Sequence, residues 1–225
     1  MDFSFIQKAL TKPIDQYCER IGIGLLAEPL NLFSNLAFVI VAYISWRAFK
    51  KLDLNDKVLK KDMKYLTRLV ALVGFGSGLF HSFANAWSMV VDVVPIIAFL
   101  LLYLYLYLNR IVSLSVKGSF IGLFGFLLLS LVIALMPFLP DLNGSEFYLG
   151  TLVTLLAITF REKDYLRLHY LLATLCFVLA LTARVVDESI CQATAGVGSH
   201  FLWHAFNSVL IFYVLRAYLL QWSKP

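Results

Sequence analysis

Charge is what this chain has least of. Asp, Glu, Lys and Arg make up 15% of its 225 residues, while 60% are hydrophobic and the mean hydropathy is +0.81. A soluble domain is nearer a quarter charged and half apolar. The shortage excludes an ordinary water-soluble globule and leaves a chain that meets lipid over most of its surface. No cleavable leader is expected either. No basic stretch followed by a small-residue cleavage site opens the sequence, and Met1 to Leu10 is short and amphipathic, so insertion is expected through the chain's own spans. No internal repeat, low-complexity tract or soluble segment interrupts it, so one domain over residues 1–225 is expected. The net charge of +5 does not indicate nucleic-acid binding. Its positive residues concentrate between Arg47 and Arg68, where Asp53, Asp56 and Asp62 are interspersed, a pattern that predicts a solvated loop.

What is present is a series of apolar stretches. Roughly 20 such residues cross a bilayer as a helix, and shorter ones can serve within a bundle. Spans are expected over Leu32–Trp46, Tyr65–Phe83, Trp87–Leu108, Phe120–Phe138, Phe147–Phe160, Leu168–Val186 and Phe201–Leu220, seven in all, the first and fifth being short. Pro137, Pro140 and the Asn143-Gly144 pair mark the exit of the fourth. The expected fold is all-α, a polytopic seven-helix membrane bundle.

An odd number of spans puts the termini on opposite sides, and the distribution of Lys and Arg sets the orientation. Fifteen of the 19 fall in loops 1, 3 and 5 and the C-terminal end. The other four are Lys8, Lys12, Arg20 and Arg184. The C-terminus is therefore expected in the cytoplasm and residues 1–31 outside or in a lumen.

On that topology the few polar residues within the spans collect at one depth near the outer surface. His81 ends span two with Ser77 one turn deeper, Asp92 lies in the first turns of span three, and His200 and His204 share one face at the start of span seven. Ionisable groups in hydrocarbon are costly and rare without a role. Three imidazoles with one open position are a common catalytic zinc site. His169, at the inner start of span six, has no such partners and is expected to be interfacial.

A second group precedes span one: Asp15, Tyr17, Glu19, Glu28 and Asn31. Such oxygens suit a hard cation such as calcium, but Glu28 and Asn31 are equally placed to cap the helix that follows. Cys18 and Cys191 both fall on the expected outer side, where an oxidising compartment permits a disulfide between them. Cys176 lies within span six as an expected buried free thiol.

These residues together resemble the alkaline ceramidase family, within the wider superfamily of seven-span hydrolases that includes the adiponectin receptors. The resemblance rests on Ser77 and His81, Asp92, and His200 and His204 in order, on Tyr17-Cys18-Glu19, on Ala27 to Asn31 with Ser34-Asn35, on Asp187 to Cys191, and on Phe201 to His204. It implies zinc on His81, His200 and His204, with Ser77 and Asp92 beside the activated water, calcium at the N-terminal acidic group, and the Cys18–Cys191 pair. Gln16 departs from it, standing where eukaryotic members carry Asp. The segment from Glu19 to Glu28 is about two residues shorter than theirs, and one expected Asn ligand has no counterpart.

The expected activity is metal-dependent hydrolysis of a linear amide, that of a ceramide or similar N-acyl membrane lipid, to a fatty acid and a long-chain amine. Asp92 is expected either as proton acceptor or as orienter of a zinc-bound imidazole, and Ser77 as hydrogen-bond donor to the developing oxyanion. The alternative is a non-enzymatic receptor or metal transporter on the same spans. The small size suits a bacterial inner membrane, with an endomembrane as the alternative host.

Overall fold

The helices begin where short polar side chains cap them and end where the chain must turn. In the computed structural model, which describes residues 3–52 and 56–222, the elements are α1 (Phe3–Leu10), α2 (Pro29–Ser34), α3 (Leu36–Lys51), α4 (Lys57–Phe83), α5 (Ala86–Leu106), α6 (Val116–Ala134), α7 (Leu149–Arg161), α8 (Asp164–Val186) and α9 (His200–Trp222). Asp56 accepts from the backbone N–H groups of Val58 and Leu59 at the start of α4. Asn85 and Ser88 form a reciprocal capping box on α5, and Ser115 accepts from Gly118 at the start of α6. Among the described residues the only β pairing is an isolated bridge between Pro13 and Asn85, which pins the N-terminal segment to the α4–α5 turn.

Packing closes these helices into a ring, each of α3 to α8 against the next and α9 between α8 and α3. Six stretches are long and apolar enough to cross a membrane: 29–51, 57–83, 86–111, 116–134, 164–186 and 200–222. Large apolar side chains such as Phe75, Val94, Ile121, Phe124 and Leu175 are more than half exposed on their outer faces, as lipid-facing residues of a multi-pass membrane protein are. The fifth expected span differs. It is α7, 13 residues entered through a single 3₁₀ turn at Glu146–Tyr148, and 13 residues of helix rise only about 20 Å. It completes the ring between α6 and α8.

Other boundaries also moved. The first expected span is α2 and α3 in succession, with Asn35 between them. The fourth begins at Val116 and ends at Ala134, before the turn that holds Pro137. The segment from Arg47 to Arg68 is not a solvated loop. Helix α3 continues to Lys51 and α4 starts at Lys57, so all but a few of these residues are helical. Asp62 is buried, accepting from the Tyr218 hydroxyl at 2.8 Å and lying 3.5 Å from Arg110 Nε; Asp53 lies outside the described residues. Apolar neighbours on α4 (Leu59, Met63 and Leu66, all fully buried) carry Asp62 inward with them.

This end of the bundle is locked by further buried polar contacts. The Tyr107 hydroxyl donates to Glu162 at 2.7 Å, and Tyr103 bonds both the Tyr170 hydroxyl and the Val214 carbonyl at 2.9 Å. The histidines lie at the opposite end of α4 and α9.

Candidate metal centre

Two glycines on α4 bring the neighbouring helices close. A Cβ on Gly76 would collide with the Val91 carbonyl, so only glycine lets α5 approach there, next to Ser77 on one helix and Asp92 on the other. Gly74 likewise leaves no room for a Cβ against the Asn35 carbonyl. One turn beyond Ser77, His81 points inward and is buried, as are His200 and His204 at the start of α9. Ligand-capable atoms of the three imidazoles all lie within 4.8 Å of one another.

Hydrogen bonding fixes which nitrogen of two rings carries its proton. His81 Nδ1 lies 2.6 Å from Glu28 Oε2. A carboxylate only accepts, so Nδ1 donates, and in the neutral ring His81 Nε2 keeps a lone pair. Ser34 Oγ donates to the Asn31 carbonyl at 2.9 Å and lies 2.8 Å from His204 Nδ1. That nitrogen must therefore donate to Ser34, and His204 Nε2 is also a lone pair. The two Nε2 atoms face each other at 3.2 Å. Facing lone pairs repel unless a positive charge lies between them.

Around this pair sit further polar atoms without protein partners. His200 Nδ1 and Asp92 Oδ1 are buried and unpartnered among the described residues. Ser77 Oγ is 3.4 Å from His204 Nε2. These residues fit a transition-metal ion: three neutral imidazoles are borderline-soft donors, and two nitrogens on one tetrahedral zinc stand about 3.3 Å apart. The outer contacts of His81 and His204 are those that orient metal-bound imidazoles.

His200 is held differently. Its ring stacks on Tyr17 with centroids 3.6 Å apart. The Tyr17 hydroxyl accepts from Arg184 at 2.6 Å, and Arg184 also donates to Ser145 Oγ at 3.0 Å. Burial, opposed by Arg184, raises the Tyr17 phenol above its ordinary pKa, so it stays protonated. Asp187, fully buried, caps α9 through the N–H groups of Ser199 and His200, at 2.6 and 2.8 Å, and takes the Cys18 N–H at 2.9 Å on its other oxygen. Gly198, with φ +67°, is required there because a Cβ would run into the Asp187 carboxylate. A disulfide joins Cys18 to Cys191. Cys176 is a half-buried free thiol, and His169 bonds back to the Tyr165 carbonyl of its own helix.

Within the N-terminal acidic group, Asn31 bonds Glu19 through its backbone N–H and Glu28 through Nδ2. Asp15 is exposed. Glu19 is the residue that caps α2, accepting from Leu30 and Asn31 N–H at 2.7 and 2.8 Å, whereas Glu28 stands at the cap position with no side-chain cap bond. The capping expected of Glu28 and Asn31 therefore falls to a carboxylate about ten residues earlier, because Glu28 is turned to His81. One Glu28 oxygen is bonded by Arg20 Nε, the other by His81 and by Asn31 Nδ2 at 3.0 Å. Burial works to raise the Glu28 pKa, but these hydrogen bonds and charges hold it below the usual glutamate value.

Arg20, Arg184, Asp187 and Ser34 hold the site, yet their individual roles were not foreseen. A signal existed for each: Ser34 and Asp187 stand in stretches that carry the family resemblance. Arg20 and Arg184 are half of the four positive residues on the side expected to carry few charges, and both are internal side chains.

Below the histidines the site opens into apolar space. A pocket lined by Tyr17, Asp92, Arg184, His200 and His204 shares Ile96, Tyr148 and Trp203 with a small, mainly apolar cavity. That cavity shares Phe99, Leu100, Thr151 and Leu210 with another that reaches Tyr103 and Phe126. A polar centre thus stands at the head of an apolar path. The chain matches no curated protein and no solved structure. The sequence pattern of the ceramidase family matches residues 15–223, nearly the whole chain, and the chain belongs to that family.

Proposed function

We propose that this chain hydrolyses the amide of a ceramide or similar N-acyl lipid within the membrane, using zinc held by His81, His200 and His204. The observation that carries this is the convergence of the His81 and His204 lone pairs beside the unpartnered Asp92 oxygen, at the head of an apolar path. When bound there, zinc supplies a Lewis acid and a water whose pKa falls to about 7.

The chain's own residues do the rest. Asp92 Oδ1 takes a proton from the attacking water and returns it to the departing nitrogen as the C–N bond breaks and the C–O bond forms. Ser77 Oγ donates to the carbonyl oxygen as it gains charge. Glu28 and Ser34 hold the two imidazoles in one tautomer. Phe99, Leu100 and Leu210 line space for an acyl chain. Arg184, which lines the pocket without a carboxylate at ion-pair distance among the described residues, faces the carboxylate of the released fatty acid.

The same proposal reads α7 as a short seventh span of one domain, with the N-terminus outside, the C-terminus in the cytoplasm, and a bacterial inner membrane as host. Its support is the Lys and Arg asymmetry. The disulfide places residue 18 and the α8–α9 connection at the same end as the histidines. A carrier would need polar groups all along its path, whereas the cavities below the histidines are mainly apolar, with Asn207, Thr151, Thr154 and Tyr103 among the polar exceptions.

The test is elemental analysis of purified protein together with a panel of lipid amides read by mass spectrometry. One zinc per chain and release of a fatty acid from N-acyl sphingoid bases are expected. Stoichiometric zinc with no amide cleaved across the panel would sink the hydrolase reading.

A further inference from the structure

Arg20 occupies the middle of the acidic group that was expected to take calcium. Its side chain is only 6% exposed, although the surrounding loop is open to the outside. Nε bonds Glu28 Oε1, Nη2 donates to the His81 carbonyl at 2.8 Å, and Nη1 reaches the Gly22 carbonyl at 3.4 Å. One guanidinium thus gathers a carboxylate and two backbone carbonyls, three oxygens of the kind a hard cation collects. We infer that Arg20 is the resident cation of this site, and that the chain holds its N-terminal segment on the metal centre without calcium.

The donor set supports this and does not fit calcium. Calcium takes six to eight oxygens at 2.3–2.6 Å. Both Glu28 oxygens and both Glu19 oxygens already have protein partners, and Asp15 is exposed. The one buried oxygen of the group left unpartnered is Asn31 Oδ1. A single free oxygen beside a fixed positive charge is a poor seat for a divalent ion, since the two cations would repel across a dry interior. A guanidinium is weakly hydrated, always charged and shaped to bind several oxygens at once, which is what a buried position of this kind demands.

The consequence reaches the histidines through two contacts. Arg20 balances Glu28, which holds His81 Nδ1, and it also grips the His81 backbone carbonyl at the end of α4. Arg20 is therefore a positioning residue for the metal centre, and it does the mechanical work that a bound ion would do. The zinc arm of the test below rests on the metal site proposed above, whereas its calcium and unfolding arms do not, so that failure of one can be told from failure of the other.

The experiment uses the full chain in detergent or nanodiscs, dialysed free of calcium and loaded with zinc. Wild type, Arg20→Lys and Arg20→Gln are compared by elemental analysis and unfolding midpoint, with and without millimolar calcium. Wild type should retain no stoichiometric calcium and show no calcium-dependent shift. Arg20→Gln leaves Glu28 buried without its cation, and should lower the midpoint by roughly 10 °C and weaken zinc retention about tenfold. Arg20→Lys keeps the charge and should recover part of both losses. One calcium per wild-type chain, a wild-type midpoint raised by calcium, an Arg20→Gln variant indistinguishable from wild type, or equal losses in the two variants would each overturn the assignment.

Discussion

His81 Nε2 and His204 Nε2 face each other at 3.2 Å, and the partners of both rings, Glu28 and Ser34, leave each of those nitrogens a lone pair. A metal ion or a proton between these two nitrogens would be held by both rings.

Removing one member of the pair should remove the metal. His204→Ala is expected to lose both zinc and turnover, while Ser77→Ala keeps zinc and loses about 10²–10³ in kcat, the cost of deleting one oxyanion donor. Elemental analysis and product release measured on the same preparations check this. Full activity in both variants would refute the site.

Glu28→Gln should weaken zinc affinity by about 10–100-fold, because His81 loses the carboxylate that fixes its tautomer. Acidification does the same to wild type. The folded pKa of Glu28 is depressed below its ordinary value, so its contribution to stability is complete above that value and is lost as pH falls through the lower, folded one. A pH series of zinc retention reads this. Retention that stays flat through the acid range would contradict the contact.

Breaking the Cys18–Cys191 bond, by reduction or as Cys18→Ser with Cys191→Ser, should cost about 2–4 kcal/mol and loosen Tyr17 from His200. The unfolding midpoint in reducing and oxidising buffers measures it. An unchanged midpoint would mean that the bonds of Asp187, Arg20 and Arg184 and the Pro13–Asn85 bridge anchor the N-terminal segment without it.

Asp187→Ala should destabilise the fold by about 3 kcal/mol or more, since three buried N–H groups lose their acceptor at once. Asp187→Asn retains an acceptor and should cost less. Denaturation of the two variants side by side gives the comparison, and equal losses would assign the effect to charge rather than to capping.

Filling the apolar path should change selectivity without touching the metal. Leu210→Trp lines both cavities with a larger side chain, and long acyl chains should then lose kcat/KM by about tenfold or more relative to short ones. Zinc content should stay at the wild-type level. Equal rates for all chain lengths would place the tail elsewhere.

Much of this architecture was legible because lipid imposes a simple rule. Backbone groups must bond internally and side chains facing the bilayer must be apolar, so hydropathy alone located the helices near their true positions. The histidines, Ser77 and Asp92 could be read because polar groups stand out in such stretches. Asp62 escaped, since a charge near a helix end looks solvated until the neighbouring helix supplies Tyr218 and Arg110. Glu19 and Glu28 were legible as a pair of roles but not in their order, because which carboxylate caps α2 depends on where His81 stands.

The sequence by itself determined that the chain is helical with stretches apolar enough for a membrane, and which side chains could meet a metal. Those are properties of composition and periodicity, which are local. Tertiary structure alone decided the tautomers of His81 and His204, the stacking of Tyr17 on His200, the capping of α9 by Asp187, and the placing of Arg20 among oxygens that calcium was expected to share. Each of these depends on contacts between residues far apart in the chain, and only the closed ring of helices brings such residues within hydrogen-bonding distance.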